Sequence, residues 1–273
     1  MKLKNIQLLL FLLTTFMVGS SCSNKKAANK ETVIAPMANV RLLPIEGAYN
    51  VRDMGGYNAA DGKKVKWGMV FRSGDLNLLT ENDLILLNSI QIKTFIDFRD
   101  SAEVVSAPDK TPASLVHAYH FPIEIGSIIE FKKITEENVA NVLVEGNRNL
   151  VRYNQDAYCQ FFNVLQHKEE APVLFHCSAG KDRAGLGAAL FLSSLGVDKE
   201  TIIEDYLLTN EYIKDKYARI IEENPIMQPL LEARREYIEA AFETIDKEFE
   251  GMDNYLTKNL GIDIKKMREL YTE

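Results

Sequence analysis

Cysteine is scarce in this sequence: Cys22, Cys159 and Cys177 are the only three in 273 residues. That number excludes a disulfide-stapled scaffold, so the chain must hold together by its core. Histidine is nearly as rare, and none of His117, His120, His167 and His176 stands in a zinc-type pair with a cysteine, so no metal site or cofactor is expected. His117 and His120 lie three apart on an expected strand, which puts them on opposite faces. There is no basic excess either. Thirty-two Lys and Arg against 39 Asp and Glu give a net charge of −7, which speaks against a nucleic-acid partner. A polyanionic ligand would therefore need a local basic pocket, since the overall field repels it. The apolar stretch from Ile6 to Val18 falls short of the ~20 residues that a membrane span requires.

What is present begins at the N-terminus. Lys2 and Lys4 precede that apolar stretch, and Gly19, Ser20 and Ser21 lead into Cys22. Basic, apolar and small in succession is the layout of a secretory signal. A cysteine directly after the small residues resembles the lipobox of bacterial lipoproteins, although Gly19 stands where leucine is usual. Residues 1–21 are therefore expected to be a signal peptide, with Cys22 as the site of lipid attachment. The polar residues 22–39 are expected to form a flexible, lipid-anchored tether. The protein is then exported and held on a membrane, with residues 40–273 as its folded domain.

Short β-rich runs lie at Gly68–Arg72, Lys93–Phe98, His117–Pro122 and Pro172–His176. Helical patterns cover Glu81–Ile90, Asn154–Gln166, Ala184–Ser194 and Lys199–Asn210, and nearly everything after Glu211. Alternating strands and helices predict a three-layer α/β domain with a mostly parallel central sheet flanked by helices and a helical C-terminal elaboration. Leu231, Ile238, Phe242, Ile245 and Phe249 make one apolar stripe that should pack on the core. Gly126–Arg152 has weaker periodicity and reads as a mobile helical flap over the site.

The chemistry concentrates in Val173–Gly185. An apolar strand ends at His176, a loop follows, and an Ala- and Leu-rich helix begins near Arg183. Cys177 and Arg183 stand six apart, with Gly180 between them. A short loop at a helix N-terminus points successive N–H groups inward and cradles an anion. Gly180 permits the turn, and Arg183 supplies a planar fork for two phosphate oxygens. The same field favours a thiolate, since helix N-termini and nearby cations lower thiol pKa values to about 3.5–7.5. Cys177 is then a nucleophile. A buried cysteine beside an incidental arginine would leave Lys181, Asp182 and Arg183 without a reason to follow a buried strand.

His176–Gly185 resembles the HCxxGxxRxG signature of cysteine-dependent tyrosine phosphatases. The Gly180–Arg183 sequence GKDR resembles, more narrowly, the bacterial tyrosine-phosphatase family whose members also act on phosphoinositides. Asn50–Gly56, Phe71–Gly74, Asp97–Arg99, Glu204–Tyr206 and Glu232–Leu256 fit that family too. The resemblance implies a phosphomonoester hydrolase working through a phosphocysteine at Cys177. Arg183 would clamp phosphate, while Ser178, Ala179, Gly180, Lys181 and Asp182 would supply the cradle and His176 would support it. Lys181 is the feature associated with inositol-phosphate substrates. No Trp-Pro-Asp sequence occurs, so Asp182 is the first choice of general acid, with Asp53, Asp75 and Asp97 as rivals. Asn50, Arg52, Asp53, Gly55 and Gly56 are expected to brace the loop, and Asp97, Arg99 and Glu103 to form mutual ion pairs. Ala184 replaces the usual hydroxyl residue after the arginine, which predicts slow phosphocysteine breakdown and faster turnover in Ala184→Thr. Cys159 is expected in the core. The expected partner is a phosphorylated protein or an inositol phosphate. Alternatives are an exported phytate-type phosphatase, a rhodanese-type sulfurtransferase, and a surface lipoprotein that binds phospho-ligands without turning them over.

Overall fold

A computed structural model describes residues 39–123, 135 and 138–273. The expected signal peptide, Cys22 and nearly all of the tether lie outside the described residues. No helix among the described residues is long and apolar enough to cross a membrane.

Five strands form one sheet: β1 (Arg52–Asp53), β2 (Val70–Ser73), β3 (Thr94–Asp97), β4 (His117–His120) and β5 (Val173–His176). Their order is β1-β2-β5-β3-β4. β2, β5, β3 and β4 run parallel, and β1 alone is antiparallel. The apolar runs of β2, β3 and β5 are buried throughout, as inner parallel strands covered on both faces must be. Alternation then sorts their side chains. Phe71, Phe95 and Leu174 face one core layer, while Val70, Ile96, Val173 and Phe175 face the other and larger one. β4 is an edge strand with largely exposed side chains.

Helices α1 (Glu81–Ser89) and α2 (Ser101–Ser106) each start at a capping box, Thr80 with Asp83 and Asp100 with Glu103. α3 (Val139–Tyr153) and α4 (Gln155–Leu165) precede β5. α5 (Asp182–Ser194) follows it, and eleven of its thirteen residues are buried. The elaboration comprises α6 (Lys199–Leu207), α7 (Thr209–Glu223), α8 (Gln228–Leu231), α9 (Arg235–Glu248) and α10 (Ile264–Tyr271).

Three expectations are corrected. The described part of the supposed flap, α3, buries Val139, Leu143, Leu150 and Val151 in the main core and packs against α9, while residues 124–134 lie outside the described residues. The apolar stripe is broken as well. Ile238, Phe242 and Ile245 belong to α9 and the main core, but Leu231 ends α8 and packs with Ile213, Tyr217 and Met227. Finally, the helix expected over Lys199–Asn210 ends at Leu207, with α7 starting at Thr209.

Candidate active site

Ser73, His176 and Asp97 are in register, so three parallel strands end side by side. Ligands of open α/β sheets gather at this carboxyl edge, and the Cys177–Lys181 loop springs from it. α5 begins at Asp182 with Lys181 as its N-cap and no side-chain cap bond. The loop, and not a cap, therefore governs the first orphan N–H groups.

The loop carbonyls are taken up by groups outside the loop. Ser178 O accepts from Lys216 Nζ at 2.9 Å and Asp75 N at 3.2 Å. Ala179 O accepts from Asn50 Nδ2 at 3.2 Å. Gly180 O accepts from Asn50 Nδ2 at 2.9 Å and Arg72 Nη2 at 2.6 Å, and Lys181 O from Arg72 Nη2 at 3.4 Å. In a planar trans peptide the next N–H points opposite to the carbonyl. The N–H groups of Ala179, Gly180, Lys181 and Asp182 thus point away from those outside partners, to the inner side of the loop. Gly180 is required here. Its φ is +65° and a Cβ would stand 2.5 Å from Ser73 O.

Behind the loop lies a buried ion cluster. Asp205 of α6 pairs with Arg52 Nε at 3.1 Å and Arg72 Nη1 at 2.8 Å, and accepts from Tyr57 Oη at 2.8 Å. Arg52 also holds the Asn50 side chain. Burial opposes ionisation of Asp205, but the two guanidiniums hold its carboxyl well below the usual range. Burial and the neighbouring Arg52 push Arg72 down to about 10. The cluster aligns the two groups, Asn50 and Arg72, that turn three of the loop carbonyls.

Arg183 donates to Glu103 from Nη1 at 2.6 Å and Nη2 at 2.9 Å, and from Nη2 to Ser178 Oγ at 3.0 Å. Ser178 Oγ in turn donates to Glu103. Glu103 was expected to pair with Arg99, but Arg99 is held by Asp97 at 2.7 Å and Asp109 at 2.8 Å. Both terminal nitrogens of the fork expected to hold two phosphate oxygens are thus engaged, and the Nε–H, buried without a partner, is the guanidinium donor left for an anion. Burial works against the Glu103 carboxylate, yet its bonds to Arg183 hold its pKa down to about 2. A depressed carboxyl contributes above its ordinary value of 4.5 and is lost only as pH falls through about 2. Any acid limb of activity between pH 4 and 6 thus belongs to another group. Glu103→Gln is expected to lower kcat/KM by ~10- to 100-fold, the worth of hydrogen bonds to a charged group. Steady-state kinetics that left kcat/KM unchanged would remove Glu103 from the site.

A family model described as the tyrosine phosphatase family matches residues 43–273. The chain belongs to that family. A Cupriavidus necator protein named as a tyrosine-protein phosphatase is 31% identical over 246 residues, covering 84% of this chain and 88% of the relative. The triple specificity protein phosphatase PtpB of Mycobacterium tuberculosis is 29% identical over 261 residues, covering 80% of this chain and 92% of the relative. Among solved structures, TpbA of P. aeruginosa is 20% identical, with 57% of this chain and 80% of that chain covered and a TM-score of 0.30.

The site of this tyrosine phosphatase family member opens onto a cleft of about 240 Å³ bordered by Asp75, Glu103, Ser178, Asp182, Lys216 and Tyr217. Of the four carboxylates considered as acids, two border it. Asp182 is half-buried, with Tyr206 Oη at 3.3 Å and Asn147 Nδ2 at 3.4 Å. Asp75 is paired with Lys216 at 2.8 Å. The other two are structural: Asp53 accepts from Gly55 N and Gly68 N, and Asp97 grips Arg99.

Lys181 departs from expectation. It is 2% exposed, and its ammonium is consumed by Leu230 O at 2.6 Å and Glu232 O at 3.0 Å. It ties the loop to the end of α8 and is not free for a second phosphate. His176 is also no substrate contact: it is fully buried, with Nε2 3.2 Å from Asp109 Oδ2. Asp97, Asp109 and His176 are close enough to resemble a metal site. Arg99 already bridges both carboxylates, however, which leaves little for a cation to neutralise. Cys159 lies at the rim of the core, its Sγ bonded to Asn259 O at 3.4 Å.

Proposed function

We propose that the protein hydrolyses phosphotyrosine esters through a phosphocysteine at Cys177. The observation that supports this reading is that outside groups hold the four successive carbonyls of Ser178 to Lys181, and in the proposed cradle the following N–H groups then face the phosphate on the sulfur. The Cys177 thiolate attacks phosphorus in line as the ester C–O–P bridge breaks on its phosphorus side. Loop N–H groups and Arg183 Nε hold the equatorial oxygens, where charge accumulates. Asp182 delivers the proton to the departing phenolate, and water then displaces the cysteine. Ala107, Tyr217, Leu230 and Leu231 give the cleft apolar walls suited to an aromatic ring. A second reading, activity on phosphoinositides, would need an ammonium for a further phosphate, and those of both Lys181 and Lys216 are taken up by protein acceptors.

Purified protein from Ser23 onward should be assayed on phosphotyrosine and phosphoserine peptides, phosphoinositides and phytate. Vanadate-sensitive release, fastest from phosphotyrosine, is the expected result. Release from no monoester would favour a phospho-ligand-binding lipoprotein instead. Export and anchoring through Cys22 belong to the same proposal, and loss of labelled-lipid incorporation in Cys22→Ala would test them.

Ala184 is fully buried at the start of α5 and offers no hydroxyl to the departing sulfur. Phosphocysteine is therefore expected to accumulate, and Ala184→Ser, smaller than threonine in that packed position, to shrink the pre-steady-state burst. A native enzyme without a burst would contradict this.

A further inference from the structure

Lys216 belongs to α7, in the helical elaboration, yet its ammonium reaches the Ser178–Ala179 peptide of the phosphate loop. Nζ donates to Ser178 O at 2.9 Å and to Asp75 Oδ1 at 2.8 Å. The rings of Tyr49 and Tyr217 stand 5.6 and 5.7 Å from it, and the side chain is 16% exposed. Burial alone would push this ammonium toward neutrality, but Tyr217, Asp75 and Cys177 raise its pKa and keep it charged.

Its target sets it apart. The carbonyls of Ala179, Gly180 and Lys181 are held by Asn50 and Arg72, both fixed by the Asp205 cluster. The Ser178 carbonyl is out of that network, and its other donor is the neutral N–H of Asp75. A peptide turns as a rigid plane, so whatever fixes Ser178 O also aims the N–H of Ala179.

We propose that Lys216 is a positioning residue for the anion cradle, holding the Ser178–Ala179 peptide so that the Ala179 N–H faces the bound oxyanion. The inference rests on the reading of Cys177–Arg183 as a phosphate loop. It gives the C-terminal helices a part in catalysis: α7 completes a cradle whose other carbonyls are held from the β1–β2 side.

Vanadate serves as the oxyanion probe on the full chain. Lys216→Met and Lys216→Ala should each weaken vanadate inhibition about tenfold, the lower range for a hydrogen bond to a charged group, and lower kcat/KM by a similar factor. Lys216→Arg, which keeps a charged donor, should stay within about threefold of the native constant. Loss of the Asp75 ion pair alone would shift the melting temperature without moving the vanadate constant. A folded Met or Ala variant with native vanadate affinity overturns the inference. The native protein gives a second test that needs no variant. Its Ala179 amide resonance should shift when vanadate is added, and an unmoved resonance overturns the inference equally. Failure of the underlying reading looks different, because native enzyme would then not be inhibited by vanadate at all.

Discussion

Cys177→Ser is expected to lower turnover on every phosphomonoester by ~10⁶-fold, the order seen when a covalent nucleophile is deleted. Serine matches the cysteine in shape, so the loop carbonyls keep their partners. Cys177 is 2% exposed and packs in the main core, and the exchange should leave the fold intact. The comparison to make is kcat/KM on phosphotyrosine peptide beside vanadate or phosphate binding. Loss of rate with anion binding retained is the expected pattern. Native-like rates would eliminate covalent catalysis.

Asp205→Ala should have the largest effect on stability. It removes the one carboxylate between Arg52 and Arg72, both fully buried, and leaves two guanidiniums uncompensated away from water. Breaking such a buried pair costs ~3–5 kcal/mol, read as a lower urea midpoint at unchanged slope. The pH dependence has a definite sign. The carboxyl of Asp205 is depressed by its arginines, so its contribution is complete above the ordinary aspartate value of 3.8 and fades as pH falls below it. Native protein should therefore lose stability in acid more steeply than the variant. A variant within 1 kcal/mol of native would mean that the cluster does not hold the loop.

Much of this was legible in the sequence. The Val173–His176 run, apolar at every position before its last, announced a strand buried on both faces, and the Cys177–Arg183 spacing announced the anion loop. Asn50 and Arg52 were expected as braces through the family resemblance and prove to be so, although their partners lie 130 and 153 residues on. What escaped belonged to no such motif. Glu103 lies eighty residues from Arg183, to which it is bound. Its only local sign, the capping box with Asp100, explains a helix start equally well. Lys216 carried no sign at all, since a lysine in an amphipathic helix usually faces water. Lys181 misled for a related reason. Its sequence neighbours put it in the phosphate loop, while the carbonyls that consume its charge come from the end of α8 and just beyond, about fifty residues on.

The most direct test is to quench native enzyme in acid during turnover of a phosphotyrosine peptide and map the bound phosphate by mass spectrometry. Phosphate on the Cys177 peptide, absent in Cys177→Ser and more abundant in native enzyme than in Ala184→Ser, is the predicted result. Full turnover with phosphate on no cysteine, or on a residue other than Cys177, would contradict it.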